Sequence, residues 1–255
     1  MPDPTLPLDL DFAPVWQSFG VLLRGFGIAL LVAVAAIAIA IVVGLVVALA
    51  RLSPVPPLRW LAFAYTQLFR GIALYVLIIW VYFGLAVAAD VNFNPIPAGI
   101  TTLALLNSAY LSETFRAGIL AVDRGQREAA LAMGLSRWQT FRDVIAPQAL
   151  RVVVPATGNQ FVDAIKDSAI LSVIGVPELM RETQRLAQFY FRPFEFYTVT
   201  GAMYLAAVFG VSYALRRLER RLGRTAITPR ARLFAWPFPR RAAEVGAQTQ
   251  TSRTS

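Results

Sequence analysis

Asp163, Lys166 and Asp167 stand at i, i+3 and i+4, a spacing that on a helix brings both carboxylates within reach of the one ammonium. They interrupt a stretch, Val152 to Val176, that is otherwise largely apolar. Charges at membrane depth are costly unless paired, so the three read either as a polar gate on a solute path or as an ion pair that locks two helices or caps a span near the interface. Glu113 and Arg116 form a second close pair and carry the same two readings. Little other chemistry is available. The chain has no Cys and no His, which removes thiol nucleophiles, thiolate and imidazole metal ligands, and Ser-His-Asp catalysis. Lys166 is the only lysine and Asp167 follows it, so no G-x-x-x-x-G-K-[ST] phosphate loop exists. No catalytic residue, metal site or cofactor is expected on this chain; it is not read as an enzyme.

The elements that would position these charges are apolar. Of 255 residues, 57% are hydrophobic and 15% charged, and the mean hydropathy is +0.57, too apolar for an ordinary soluble domain. An all-α transmembrane protein with about five spans follows. Gly25 to Ala50 contains no charge and is long enough to cross the hydrocarbon. Arg51, Ser53, Pro54, Pro56 and Pro57 then make a short turn. A second span covers about 60–89, interrupted by Arg70, so its inner end is expected to bend. The third covers about 98–120, the fourth and most polar 152–176, and the fifth, with a core free of charge from Phe196 to Leu215, about 196–215. Asp3, Asp9 and Asp11 precede the first span, whereas the 121–151 loop and the chain after Leu215 are rich in Arg. The positive-inside rule therefore sets the N-terminus outside and the C-terminus in the cytoplasm. Residues 1–19 form the outer segment, with no cleavable signal peptide expected because they are acidic and proline-rich. Residues 20–224 form the membrane domain, and 225–255 a basic tail expected to be disordered.

The loop from Gly125 to Leu150 is expected to be two short helices. Gln126 to Met133 consists largely of strong helix formers, and Gly134 suits the left-handed residue just past a helix end. Ser136 and Gln139 match a capping box that starts a second helix. That helix would set Trp138, Phe141, Val144 and Ile145 on one side and stop at Pro147. By residue type alone the pair either covers the membrane ends of the spans or seats a partner through Glu128, Ala129, Ala130 and Met133.

Glu128-Ala129-Ala130, Gly134, Val144, Ala146 and Pro147 resemble the EAA loop of ATP-binding-cassette importer permeases, with Val144 and Ala146 departing from it. Ala109-Tyr110, Glu113, Arg116, Gly125-Gln126, Pro147-Gln148-Ala149-Leu150, Lys166-Asp167-Ser168 and Val173-Ile174-Gly175 extend the resemblance to the polar-amino-acid permease family. It implies the type I importer permease fold and makes Gly125, Glu128, Ala129, Ala130, Gly134 and Pro147 the element that couples to a separate ATPase, where ATP and Mg would sit. The implied partners are a second permease copy or a related permease, a periplasmic solute-binding protein and membrane lipid, in the bacterial inner membrane. The solute would be a polar amino acid, or an amino-acid derivative such as an opine or ectoine-like compound. The family continues Phe-Arg-Gly with Thr-Pro-Leu, but Ile72 and Ala73 follow Arg70-Gly71 here, and Gln67 replaces an acidic residue. The missing proline is expected to remove a break in the second span.

The formal charge of +9 is explained by cytoplasmic membrane flanks, ten of the basic residues lying after Leu215, so nucleic acid is not expected as a partner. A secondary transporter would need internal repeats and more intramembrane acids than are present. Trp80, Tyr82 and Phe83, and Phe189, Tyr190 and Phe191, read as interface anchors.

Overall fold

A computed structural model describes residues 10–84, 87 and 94–221. The expected basic tail 225–255, most of the N-terminal segment and part of the second span's outer end lie outside the described residues. Those that are described fold entirely into helices joined by short turns.

A single helical turn, Ala13–Gln17, leads into α1, Phe19–Leu52. The buried face of α1 is a stripe of mostly small residues, among them Gly25, Ala29, Ala33, Ala36, Ala40, Gly44 and Ala48, at the three- and four-residue steps of a helix. Its large residues, such as Leu31, Val34, Val42 and Val46, point outward and are exposed. This inverts the pattern of a soluble helix. In lipid nothing is gained by hiding leucine from hydrocarbon, whereas small residues let backbones approach. The approach is close at Gly44, where an added Cβ would lie 3.0 Å from the carbonyl oxygen of Ser108 on α4.

The chain turns at Ser53 and enters α2, Pro56–Gly71, with proline in its first turn. α3, Leu74–Ile79, follows and widens into a π-helical turn, Trp80–Gly84. The axes of these two pieces meet at 105°. The expectation that losing the family proline would straighten this region is therefore wrong: Ile72 and Ala73 are both extended, with ψ of 138° and 134°. The break is held from outside. Arg70 lies against α4, and Ile72 and Leu74 pack on Leu77, Val81 and Leu106.

α4, Pro95–Leu120, is opened by Asn94, whose side chain accepts a hydrogen bond from the Ile96 amide, with proline in the first turn. α5 is Arg124–Ala132. Arg137–Gln139, the π-helical turn Thr140–Ile145 and Ala146–Asp167 run on from one another and are treated together as α6. A 3₁₀ segment, Ser168–Ile174, ends at Gly175 with φ +86°. α7, Leu179–Tyr190, and α8, Pro193–Arg221, complete the fold. α1 and α4 form the centre, with α6 and α8 packed beside them and α7 against the first turns of α1.

Only α1 and α8 are both long and apolar enough by themselves to cross a membrane among the described residues, and α2 with α3 would make a third crossing if the bent pair is one span. α4 has the length, at 26 residues, but spends it on buried polar side chains: Thr102, Asn107, Ser108 and Ser112 are all fully covered.

Glu178, the N-cap of α7, is also fully buried. Its carboxylate accepts from the amides of Met180 and Arg181, each at 2.8 Å, and from the Tyr204 hydroxyl at 2.9 Å. Burial nonetheless pushes its carboxyl up from the ordinary 4.5 to about 7, outweighing those donors. The native state thus holds this proton more tightly than the unfolded chain. Its stabilising contribution is full below about pH 4.5 and is lost as pH rises through about 7. The thermal midpoint in detergent is expected to fall across that window, and to fall less in Glu178→Gln. An identical slope in both proteins would show that the carboxyl titrates normally.

Candidate functional site

The 121–151 loop is an ordered helix pair. Asp123 Oδ1 accepts from the Gly125 amide at 2.7 Å and starts α5. Gly134 has φ +85°, and the Leu135 amide reaches back to the Ala130 carbonyl at 3.2 Å. Ser136 then restarts the chain with a complete capping box: its amide donates to Gln139 Oε1 at 2.8 Å, and its Oγ accepts from the Gln139 amide at 3.2 Å. Gln148 donates to Gln126 Oε1 at 2.5 Å and to the Val144 carbonyl at 2.9 Å, tying the two helices together.

Three expectations about this loop need correcting. Pro147 does not stop the second helix; the chain continues as helix to Asp167. A proline in a regular helix meets the carbonyl four residues back, and the π-helical turn over Thr140–Ile145, directly before it, widens the coil where that clash would fall. The same wide turn disperses the expected apolar face, leaving Ile145 buried but Trp138 66% exposed. Ala130, grouped with Glu128 and Ala129 as a partner contact, is 1% exposed and packs inside its own chain. The other residues from Arg124 to Gly134 are all exposed, Glu128, Ala129, Met133 and Gly134 among them.

Glu113 and Arg116 belong to a larger cluster. Glu113 Oε1 pairs with Arg51 from the end of α1, Oε2 lies 2.9 Å from Arg116 Nη2, and Arg70 of α2 approaches to 4.0 Å. One carboxylate therefore ties three helices. The guanidinium of Arg51 sits 5.3 Å from the Phe63 ring centre and that of Arg70 5.2 Å from Tyr110. Arg51 and Arg70 were visible in the sequence as charges flanking spans, but no short spacing links them to Glu113.

A line of polar contacts continues through the bundle. Tyr65 and Ser108 hydroxyls lie 2.7 Å apart, and Gln160 Nε2 donates to Asn107 Oδ1 at 2.8 Å. Further along α6, Lys166 Nζ lies 2.7 Å from Asp163 Oδ1. Both residues are on one helix, so this pair locks no two helices together. Asn159, Asp163 and Lys166 form a stripe at i, i+4 and i+7, and the two charged side chains are about half exposed, 50% and 54%. Asp167 is half-buried.

A bundle whose centre is small-residue packing, whose polar side chains line up inside it, and whose ordered loop presents one exposed turn is the architecture of a solute-conducting membrane subunit. Residues 40–224 match the family of binding-protein-dependent transport system inner membrane components, and the chain belongs to that family. It is 35% identical over 216 residues to the glutamine transport system permease protein GlnP of Escherichia coli strain K12, covering 84% of this chain and 99% of that protein. It is 33% identical over 215 residues to the arginine transport system permease protein ArtQ of Bacillus subtilis strain 168, covering 84% and 98%. The crystal structure of an amino acid ABC transporter with histidines contains a chain that superposes with a TM-score of 0.80 at 34% identity, covering 84% of this chain and all of that one. The helices therefore have the type I ABC importer permease fold.

Proposed function

We propose that this chain is an inner-membrane permease subunit that carries a polar amino acid into the cell, driven by ATP hydrolysis on a separate subunit. The relatives named for glutamine and arginine transport support that solute class. In this reading α1, α2 with α3, α4, α6 and α8 are the five spans, with the N-terminus outside and the Arg-rich loops in the cytoplasm. Two such chains, or this one and a related permease, line the path; a periplasmic binding protein delivers the solute; ATP and Mg are held by the ATPase.

The observation that carries the coupling role is continuity. The turn at Gly134 exposes Glu128, Ala129 and Met133, and α6 runs without a break from that turn to Asp163 and Lys166. A helix that stays continuous through its π-helical turn and Pro155 carries a push at one end toward the other. The half-exposed stripe on α6 then faces the path rather than lipid, because a charged pair left in hydrocarbon would be unfavourable.

Reconstitution with a cognate ATPase and binding protein tests this. Uptake of labelled glutamine or arginine is expected only with ATP, and Glu128→Arg is expected to reduce ATPase co-purification at least about tenfold, as for a misplaced charge at a central contact. Equal uptake by the permease alone without ATP would overturn the proposal.

A further inference from the structure

Behind the α5–α6 turn lies a cavity of about 550 Å³ that shares only Glu128 with the residues assigned above to coupling. Its floor is hydrocarbon, from Leu49 and Leu52 in the last turn of α1 and Leu120 at the end of α4. Three arginines line it, Arg124, Arg127 and Arg137, against the single acidic residue Glu128. Among the described residues, none of these three arginines forms an ion pair. Thr140 also lines the cavity; it is 1% exposed, and its hydroxyl has no hydrogen-bond partner there. An unsatisfied buried hydroxyl is unfavourable by itself, and a small rotation of the Thr140 side chain would let it donate to a ligand oxygen.

We propose that this cavity binds the phosphodiester headgroup of an anionic phospholipid from the cytoplasmic leaflet, with an acyl chain on the leucine floor. Guanidinium groups match phosphate oxygens in geometry and charge. The order of the lining, apolar at the helix ends and cationic beyond them, is that of a lipid at the membrane surface. Trp138, 66% exposed on the same turn, is of the type that sits at headgroup depth. The choice of leaflet rests on the orientation proposed above; the chemistry of the cavity does not.

The test uses the full chain with its ATPase, purified in detergent and titrated with phosphatidylglycerol, with phosphatidylcholine as the neutral control, bound lipid being counted by native mass spectrometry. Wild type is expected to retain phosphatidylglycerol selectively, and Arg127→Gln/Arg137→Gln to lose about 30-fold in affinity, as two charges at a membrane surface would give. Thr140→Val guards against a folding defect in the double variant and is expected to weaken retention severalfold. Arg142→Gln, whose guanidinium pairs with Asp143 instead, is expected to bind as wild type. Equal retention of both lipids, or unchanged retention in the double variant and Thr140→Val, overturns the proposal. Displacement by millimolar inorganic phosphate would make it a soluble-anion site, and release of lipid on saturation with ATPase would make it an ATPase contact; either outcome also overturns it. ATPase co-purification, measured on the same variants, reads the docking role separately.

Discussion

Replacing Glu113 with alanine is expected to remove most of the folded protein. Its side chain is 23% exposed and holds Arg51, Arg70 and Arg116, which come from three helices. Deleting one partner of a largely buried pair typically costs about 3–5 kcal/mol, because the remaining charge loses its compensation. Here three guanidiniums would be left facing one another on elements that otherwise meet through small residues and van der Waals contact. The monodisperse yield from detergent should fall at least about tenfold, since a total stability of about 5–15 kcal/mol leaves little reserve. Glu113→Gln keeps an acceptor but not the charge and should fall between. Arg51→Ala combined with Glu113→Ala should be milder than the sum of the two, because they share one interaction. Wild-type yield and thermal midpoint in Glu113→Ala would show that the cluster contributes nothing to the fold.

The second large effect is functional rather than structural. At φ +85°, Gly134 occupies a conformation that disfavours side chains by roughly 1–2 kcal/mol, and more for a β-branched one. No atom lies within 4 Å of where its Cβ would be, so the penalty is one of backbone geometry at an exposed turn and not of packing. Gly134→Val should therefore retain the bundle but distort the turn between α5 and α6. ATP-dependent uptake is expected to fall about tenfold or more, as a penalty of this size would give, with the thermal midpoint of the membrane domain almost unchanged. Ser136→Ala, which removes a cap worth about 1 kcal/mol, should show a smaller loss of the same kind. If Gly134→Val lowered the midpoint and uptake in parallel, the turn would be part of the fold's support. If uptake stayed intact, the turn would have no coupling role.

Local chemistry made several features readable along the chain. The membrane-crossing length of α1 and α8 follows from unbroken apolar runs, the positive φ at Gly134 from the residue type, and the restart at Ser136 from a capping pair three residues apart. Each depends on residues within a turn or two of one another, where spacing alone fixes geometry. Other features were set by partners distant in sequence. Glu113 joins Arg51 across 62 positions. The bend at Ile72 is held by packing on α4 rather than by a proline, and Pro147 is accommodated inside α6 by a wide turn that the sequence does not announce.

The spacing of Asp163, Lys166 and Asp167 was enough to predict an ion pair on one helix, because i and i+3 positions are neighbours on any helix. Only the tertiary structure decided that the pair stands on a half-exposed stripe and locks no second helix, since exposure is a property of what the rest of the chain leaves uncovered. The sequence likewise determined that an ordered helix–turn–helix would exist between Gly125 and Leu150. Packing decided that Ala130 is covered while Glu128 and Ala129 face outward, because which side of a short helix is buried depends on the neighbour it meets.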